Sequence, residues 1–445
     1  MTVSTTKLTG EVVRPGDPGY EAARIGWNRL YSRYPEAIVF CDDAQDVVNA
    51  VEWARREGIA MRARSGRHSI DGWSSIDGGL VIDVSRMKSV EIDETARTAK
   101  VGTGLIQKEA VAALGERGFV MPTGSEGGVG LGGVMPGGGF GLLTRSLGLA
   151  CDNLLAAEIV VADGPRSAKV IEATERSNAD LLWAWRGGGG GNFGIATSYT
   201  LKLHELSEVQ LMIANWAGHG DLGTVLRTWQ RDAPVADERL SSALEADSTH
   251  FELTALMHGG SRQELEDELG SLLAIGKPEL TFMQGFWPDL YANADRAPDL
   301  PFWKFYSHFV TQPFPGEAID LVLHYMANTP TPPSNFMCSS FGGAVRHEPP
   351  GGSAFAHRDA LFYCEPGAAW DDPALNSKAL GWAVDFWRAL RPFSGGAYVA
   401  VPNAPAADWE RDYYGSNRER LRQVKATYDP ENVFSFEQSI PPAAG

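Results

Sequence analysis

The uneven placement of glycine is the feature that most restricts how this chain can fold. Of the 445 residues, 50 are glycine, and many of them lie in segments 124–141 and 187–194. Apolar residues such as Val129, Leu131 and Phe140 are interleaved with these glycines. A flexible linker needs no such apolar residues, whereas glycine lets a backbone approach a ligand closely. The two segments therefore predict backbone that packs directly against a bound molecule.

Composition narrows the class of protein. The sequence is 43% hydrophobic and 21% charged, as in ordinary globular proteins, and its length predicts two domains. A net charge of -17 disfavours binding to nucleic acid or to anionic membranes. Segment 1–10 is polar and no stretch has the roughly 20 apolar residues of a transmembrane helix, so we expect a cytoplasmic protein without a secretory signal. The cysteines are too widely spaced for a metal cluster, and we expect reduced, mostly buried thiols: Cys41, Cys151, Cys338 and Cys364.

Helix and strand signals alternate at the start of the chain. Val47, Val48 and Val51 recur at helical spacing within 46–57, and Gly58 follows as a stop. Strands are predicted over 59–64 and 79–84 around a polar loop, and again over 154–162 and 195–203; a last helix is predicted over 411–428. After about residue 206 aromatic residues replace the glycine clusters, which indicates a second domain. These aromatics favour a core, with stacking on a sugar or flat substrate as the alternative: Phe282, Phe286, Trp287, Tyr291, Phe302, Trp303, Phe305 and Tyr306.

The polar loop carries the first chemical motif, Arg64-Ser65-Gly66-Arg67-His68-Ser69. Successive backbone N–H groups in such a loop can form a nest for a pyrophosphate, and the arginines and serines add donors. A histidine in the loop could attack a cofactor methyl group and anchor it covalently. The alternative is a solvated basic loop with a surface histidine.

The second motif is the glycine-rich run over 122–141. Its string Gly128-Val129-Gly130-Leu131-Gly132-Gly133 resembles the dinucleotide fingerprint GxGxxG. It does not open a clear helix after a clear strand, so a nicotinamide cofactor is disfavoured. Backbone passing beneath a flat ring system and its phosphates is the better interpretation.

Three further segments complete a recognisable set. They are 145–164, 183–203 with its run Arg186 to Ile195, and a carboxyl-terminal group over 413–417, 428–434 and 438–440. In this order, the five segments resemble the berberine bridge enzyme-like family of FAD-linked oxidases, within the vanillyl-alcohol oxidase superfamily. The resemblance covers nearly the whole chain and is strongest over 36–204 and 410–442. It implies an α+β fold: a PCMH-type FAD-binding domain from both chain ends (1–205 and 409–445), and an inserted substrate domain on an antiparallel sheet (206–408).

The resemblance also implies how FAD is held. His68 matches the family histidine bonded to the 8-methyl group of the flavin, although Arg67 replaces a glycine there, so we expect local backbone geometry to differ. Glu126 stands where many relatives have a second bonding cysteine, and Cys151 lies 25 residues later, so we expect one covalent bond. The other cofactor-binding residues implied are Arg64, Ser65, Gly66, Arg67, Ser69, Gly124, Gly128, Val129, Gly130, Gly133, Gly137, Gly138, Gly139, Gly190, Asn192, Gly194, Ile195 and Asn417.

The expected reaction is hydride transfer from an alcohol, sugar or secondary metabolite to flavin N5. A base must take the accompanying proton, and three residues compete for that role: Glu365, Tyr363 and Tyr398. Relatives that oxidise alcohols often carry Y-x-N-Y where this chain has Tyr398-Val399-Ala400-Val401, so the second tyrosine of that segment is missing here. Lys304 and His308 lie in a segment that resembles a stretch beside the substrate cleft, and their spacing does not suggest a metal site.

Reoxidation of the flavin separates the remaining alternatives. Gly124 lies where bulkier side chains block oxygen in dehydrogenase relatives, so an oxidase that uses O2 and forms hydrogen peroxide is favoured. A flavin dehydrogenase with another acceptor is the rival enzyme. The rival from another class is a flavin-carrying binding protein without turnover.

Overall fold

A computed structural model describes residues 7–291 and 300–444; residues 1–6 of the polar amino-terminal segment lie outside the described part. Up to residue 205 the strands are β1 (Glu11–Val13), β2 (Ala37–Phe40), β3 (Met61–Arg64), β4 (Leu80–Asp83), β5 (Val90–Asp93), β6 (Thr98–Gly102), β7 (Phe119–Val120), β8 (Leu154–Asp163), β9 (Ser167–Thr174), β10 (Ile195–Lys202) and β11 (His204–Glu205). They form a four-stranded sheet β1-β2-β4-β3, a five-stranded sheet β5-β6-β10-β8-β9 and the pair β11-β7. The parallel pairs are β2–β4 and β3–β4, and the other pairs are antiparallel.

The later strands build one large sheet. They are β12 (Glu208–Ala217), β13 (Leu240–Ala246), β14 (His250–His258), β15 (Glu279–Phe286), β16 (Phe302–Phe305), β17 (His308–Val310), β18 (Asn335–Ser340) and β19 (Phe362–Trp370). The order is β15-β12-β14-β13-β18-β19-β16, with β17 also paired to β19, and every pair is antiparallel. The predicted mixed α+β class is thereby confirmed.

The helices flank these sheets. They are α1 (Tyr20–Arg24), α2 (Ala44–Glu57), α3 (Gln107–Gly115), α4 (Leu131–Gly137), α5 (Thr144–Leu147), α6 (Ala179–Trp185), α7 (Leu222–Asp232), α8 (Arg262–Glu268), α9 (Gly270–Leu273), α10 (Trp287–Tyr291), α11 (Gly316–Met326), α12 (Asn376–Leu390), α13 (Trp409–Tyr414) and α14 (Arg418–Tyr428). Among the described helices, none is long and apolar enough to cross a bilayer.

Alternation along the strands decides which face of the large sheet is core. Phe336 and Cys338 of β18 are buried against Val322 of α11 and Phe386 of α12. Met337, between them in sequence, points to the other face because successive side chains on a strand alternate. One face of the sheet is therefore filled by helices, which leaves the other face to form a wall of the cavity described below.

The predicted helix over 46–57 begins two residues early because Asp43 caps it. The Asp43 carboxylate accepts a hydrogen bond from the Asp46 N–H, and Gly58 ends the helix at φ 68°. The predicted strands are confirmed with boundary shifts at β3, β4, β8 and β10. The predicted helix over 411–428 is wrong as one helix. At Gly415, with φ 50°, the chain leaves α13, and α14 starts at Arg418.

Candidate active site

A cavity of about 770 Å³ lies between the loops of the first two sheets and the open face of the large sheet. Most residues predicted to bind the cofactor or to act as the base line this single cavity. They are Arg64, Ser65, Gly66, Arg67, His68, Ser69, Gly124, Val129, Gly130, Gly133, Gly137, Gly190, Gly194, Ile195, Tyr363, Glu365 and Tyr398. Segments far apart in sequence therefore converge on one space.

Arg64 ends β3 and places its guanidinium at the edge of this cavity. Its Nε donates to Asp83 Oδ2 at 2.7 Å, whereas Nη1 and Nη2 are buried and have no hydrogen-bond partner among the described residues. Burial lowers the pKa of the Arg64 guanidinium, and the Asp83 carboxylate opposes that shift. A buried cation with two unused donor groups fits the pyrophosphate of FAD, because an anion there would satisfy both the charge and the donors.

Two glycines bring the polar loop and the glycine-rich run into backbone contact. A Cβ added to Gly66 would lie 2.4 Å from the Gly130 nitrogen, and one added to Gly130 would lie 2.3 Å from the Gly66 nitrogen. Ser65 fixes the same contact by donating its hydroxyl to the Thr103 carbonyl at 2.7 Å. A side chain at either position would push the two loops apart. The close backbone contact therefore requires glycine at both positions.

Arg67 holds a backbone conformation that favours glycine. Its φ is 60°, in the left-handed region that glycine adopts most easily. The expected difference in local geometry from relatives with glycine stays a prediction. The Arg67 side chain donates to the Ala22 carbonyl at 3.0 Å, and its Nε lies 3.7 Å from the Asp83 carboxylate. These contacts hold the Arg67 side chain against α1 and β4.

His68 is stacked between an indole and the cavity. Its ring lies 4.2 Å from the ring of Trp27, with 17° between the planes, and Trp27 in turn stacks on Trp303 of β16 at 5.4 Å. The backbone N–H of Trp27 donates to the Arg67 carbonyl at 2.9 Å, which ties the segment that carries this indole to the loop. Stacking on Trp27 fixes the plane of the His68 imidazole. Sequence reasoning missed Trp27, because a lone tryptophan outside any motif carries no signal.

Five predicted cofactor residues do not line the cavity: Gly128, Gly138, Gly139, Asn192 and Asn417. The Asn192 amide donates to the carbonyls of Gly188 and Gly189, and its oxygen accepts from the Ile440 N–H at 2.9 Å. The Asn417 amide donates to the Ala354 carbonyl at 3.1 Å. These two asparagines hold loops together, and a direct role at the cofactor stays a prediction for both.

The GxGxxG string over 128–133 does open a helix, contrary to the prediction: the short helix α4 begins inside it at Leu131. The strand before it, β7, has two residues and pairs antiparallel with β11, so no parallel βαβ unit surrounds the string. The context of a nicotinamide-binding fingerprint is therefore still missing.

The candidate bases lie together on β19 and beside it. The Tyr363 hydroxyl donates to Glu365 Oε2 at 2.5 Å. Burial raises the pKa of Glu365 to about 7; the Tyr363 hydrogen bond lowers it, and Glu245 and Glu126 raise it further. A carboxylate with a pKa near neutrality can take a proton and release it again.

Tyr398 lies in the same cavity but is a weaker candidate. Its hydroxyl accepts a hydrogen bond from the Gly139 N–H at 3.0 Å, and its ring lies 4.9 Å from Phe140. Burial raises the pKa of the Tyr398 phenol far above its ordinary value. The phenolate form that a base needs is therefore disfavoured at Tyr398. Burial and the neighbouring Glu365 carboxylate also raise the pKa of the Tyr363 phenol well above its ordinary value.

At the position considered for a second covalent bond, the chain has the carboxylate of Glu126 and no cysteine. Glu126 lines the cavity, and Gln107 holds this turn by donating to the Glu126 carbonyl and accepting from the Gly124 N–H at 2.6 Å. Cys151 is buried beside Phe341 and Phe355, and burial raises the pKa of its thiol well above the ordinary value. All four cysteines are free and buried, as predicted.

One buried ion pair links the polar loop to the large sheet. Lys304 of β16 donates to Asp71 at 2.5 Å, and Tyr31 also donates to that carboxylate at 3.2 Å. His308 lies elsewhere, in a buried position that lowers its pKa to about 3. In the described residues no group of three or more His, Cys, Asp or Glu could hold a metal ion.

Comparison with known proteins agrees with this geometry. Residues 35–166 match the family described as FAD binding domain, and residues 397–441 match the family described as berberine and berberine like. The chain is 38% identical over 444 residues to an uncharacterized FAD-linked oxidoreductase, YgaK, of Bacillus subtilis (strain 168), with 98% of each chain covered. It is 36% identical over 470 residues to (R)-6-hydroxynicotine oxidase of Paenarthrobacter nicotinovorans, with 98% of this chain and 97% of that one covered.

Solved structures give the same result. The wild-type BBE-like 1 of Physcomitrella patens superposes with a TM-score of 0.90 at 26% identity, covering 98% of both chains. A glycopeptide hexose oxidase, DBV29, solved with teicoplanin, superposes with a TM-score of 0.90 at 25% identity, covering 98% of this chain and 99% of that one. The chain therefore belongs to the berberine bridge enzyme-like family and is an FAD-linked oxidoreductase.

Proposed function

We propose that the protein is an FAD-dependent oxidase that removes a hydride from an alcohol, sugar or secondary metabolite, with Glu365 as the base. The observation that carries this proposal is the Glu365 carboxylate, with its pKa of about 7, in the same cavity as the loop that bears His68. Two relatives named above are called oxidases, which supports the choice of oxidase.

The chain offers a distinct group for each part of FAD. Arg64 would hold the pyrophosphate through Nη1 and Nη2, and the Gly66–Gly130 contact would lie beneath the cofactor. His68 would anchor it covalently, as the only tether, because Glu126 replaces the second cysteine. When bound, FAD accepts a hydride at N5 and is reoxidised by O2, which yields hydrogen peroxide.

Proton movement is the task of the chain itself. The Tyr363 hydroxyl occupies Glu365 Oε2, which leaves Oε1 to accept the proton of a substrate O–H or N–H group. The Tyr363 hydrogen bond stabilises the ionised carboxylate, and burial opposes it, so Glu365 exchanges protons near neutral pH. Tyr363 is thus a positioning residue in this proposal, and Glu365 is catalytic.

Anaerobic stopped-flow mixing tests the reaction class. We expect at least one compound from a panel of sugars, phenolic alcohols and amines to bleach the flavin, and admission of O2 to restore the colour with one hydrogen peroxide per turnover. Restoration by a quinone or dye but not by O2 would show a dehydrogenase instead. If no compound bleaches the flavin, a binding protein without turnover becomes the better interpretation.

Intact mass after denaturation tests the attachment. We expect one FAD adduct in the wild type, none in His68→Ala, and one in Cys151→Ser, because the buried Cys151 thiol makes no bond to the cofactor. A second adduct, or loss of the adduct in Cys151→Ser alone, would contradict the single tether. The division into segments 1–205, 206–408 and 409–445, and the cytoplasmic location, stay predictions.

A further inference from the structure

The His68 imidazole is one end of a column of stacked rings. It stacks on the Trp27 indole, and that indole stacks on Trp303 of β16. Trp303 stacks in turn on Phe305 at 5.4 Å, with 23° between the planes. All four rings line the cavity, and Trp303 is buried, so Trp27 has a buried neighbour as well as the imidazole. The column therefore connects the polar loop with the strand that ends the large sheet.

Hydrogen bonds join the three segments that carry these rings. The Trp27 backbone N–H donates to the Arg67 carbonyl in the polar loop. The amide of Asn28, the next residue, donates to the carbonyls of Ile70 at 2.7 Å and Trp303 at 2.8 Å. Asn28 is buried, and a buried polar group that loses its partner is costly. Protein contacts alone therefore fix where Trp27 lies relative to the loop and to β16.

The glycine-rich run lies close to the same imidazole. A Cβ added to Gly128 would lie 3.9 Å from His68 Cδ2, the carbon next to Nε2. Gly128 leads through one residue into Gly130, whose backbone meets Gly66 in the contact described above. The imidazole thus has an indole stacked on it and lies beside the wall that would hold FAD.

A covalent bond places a strict demand on the plane of this ring. In the proposed attachment an imidazole nitrogen bonds to the 8-methyl carbon of the flavin. The carbon and the nitrogen each lose one hydrogen, and both hydrogens with their electrons pass to O2, which becomes hydrogen peroxide. The nitrogen lone pair lies in the ring plane and must point at the carbon from about 3–3.5 Å. The outer torsion of a histidine side chain has only broad preferences, so the side chain alone does not set this plane.

We infer that Trp27 is a positioning residue for the covalent attachment of FAD. By stacking on His68, it holds the imidazole in the plane from which a ring nitrogen can reach the flavin methyl carbon. Trp27 takes no part in the bond itself, and the hold on the pyrophosphate is left to Arg64. The inference rests on the proposed function, because it assigns a partner to the proposed tether.

The rate of bonding at saturating FAD separates positioning from cofactor binding. Full-length protein is produced under riboflavin limitation, so that part of it lacks FAD, and is then saturated with FAD in air and sampled over time. Intact mass after denaturation gives the fraction of chains that carry the adduct. Flavin fluorescence of the undenatured protein gives the affinity for FAD.

Two substitutions of Trp27 differ in whether a ring remains to stack. We expect Trp27→Leu to slow adduct formation about 10- to 100-fold, because the imidazole plane is then free to turn. Trp27→Phe keeps a flat ring and should form the adduct within about threefold of the wild-type rate. FAD should still bind to both variants, because Arg64 and the Gly66–Gly130 contact are unaltered.

Trp53→Leu is the matched control. Trp53 is half-buried, as Trp27 is, but it lies on α2 and does not line the cavity. This variant should form the adduct at the wild-type rate, and melting temperatures compare the stability of all variants. If Trp27→Leu does not fold, Trp303→Leu replaces it. That variant removes the ring on which Trp27 stacks and should slow the bonding by a smaller factor.

Each other outcome contradicts a stated idea. A wild-type rate in Trp27→Leu, or in Trp303→Leu where that variant replaces it, would overturn the inference. Equal slowing by Trp27→Phe and Trp27→Leu would also overturn it, because a stacked ring would then not be the cause. Slowing by Trp53→Leu would overturn it too, since a general loss of stability would explain the effect. A wild-type chain that never forms an adduct would contradict the proposed tether itself.

Discussion

Two walls of the cavity differ in what they present to the space between them: one presents backbone and the other presents side chains. We call the wall formed by the loop 64–69 and the glycine-rich run the cofactor wall, and the wall formed by the large sheet the substrate wall. On the cofactor side, backbone meets backbone, and a single Cβ at Gly66 would approach the Gly130 nitrogen to 2.4 Å. On the substrate side, regular strands present side chains such as Glu245 and Glu365, whose positions follow from register alone. A wall of backbone is specified by the absence of side chains, so it tolerates little change. A wall of side chains can change its chemistry while the strands beneath it stay paired.

Replacing the base is the substitution with the largest expected effect, and it acts on the substrate wall only. Glu365→Gln keeps the size of the side chain and removes the proton acceptor, so the rate of flavin reduction should fall about 10²- to 10⁴-fold. The flavin spectrum and the FAD adduct should be unchanged, because no cofactor-wall residue is altered. Stopped-flow reduction and intact mass measure the two effects. Asp320→Asn is the control, because Asp320 is exposed on α11 and does not line the cavity. Loss of the FAD adduct in Glu365→Gln would show that a change on the substrate wall also disturbs cofactor binding.

The pKa of Glu365, about 7, also fixes the sign of two pH dependences. The reductive rate of the wild type should fall as pH drops below about 7, because the base becomes protonated. The pKa is raised in the folded state, so the ionised carboxylate destabilises the fold above the unfolded pKa of about 4.3, and fully above about pH 7. Glu365→Gln should therefore raise the melting temperature more at about pH 8 than at about pH 5. An equal change at both would contradict the raised pKa.

Breaking the link between the walls should cost stability. Lys304→Met leaves the buried Asp71 carboxylate without its cation, at a cost of about 3–5 kcal/mol in unfolding free energy. Lys304→Met combined with Asp71→Asn removes both charges and should recover part of that loss. Denaturant unfolding of the single and double variants measures the coupling. Additive losses in the double variant would mean that the ion pair does not join the loop to the sheet.

The contrast between the walls explains what could be predicted from the sequence. The cofactor wall was visible because glycine and the Arg64–Ser69 loop are unusual in any sequence, and Arg64, Gly66 and His68 do line the cavity. The carboxylates on the large sheet were not visible as a group, because Glu245 of β13 and Glu252 of β14 become neighbours only through strand pairing. Trp27 was missed because it lies outside every motif and its stacking partner His68 is 41 positions away in the chain. Glu365 was found through its resemblance to a family segment, and its partner Tyr363 through alternation along a strand.

Two glycine substitutions have the smallest expected effects. They test whether the cofactor wall needs glycine for protein packing or for room beside the cofactor. Gly66→Ala must push its methyl group into the Gly130 backbone, so it should cost about 1–3 kcal/mol of unfolding free energy and reduce FAD loading. Gly133 differs, because a Cβ there meets no described atom within 4 Å and the residue lies in α4. Gly133→Ala should leave the FAD-free protein as stable or about 1 kcal/mol more stable, because alanine favours a helix.

The methyl group of Gly133→Ala enters the cavity itself, since Gly133 lines it. FAD content, measured from flavin absorbance after purification and after incubation with added FAD, should therefore fall in this variant without a fall in the melting temperature of the FAD-free protein. Unchanged FAD content would mean that the cofactor does not approach the chain at Gly133. A loss of stability equal to that of Gly66→Ala would mean that protein packing, and not the cofactor, requires glycine at both positions.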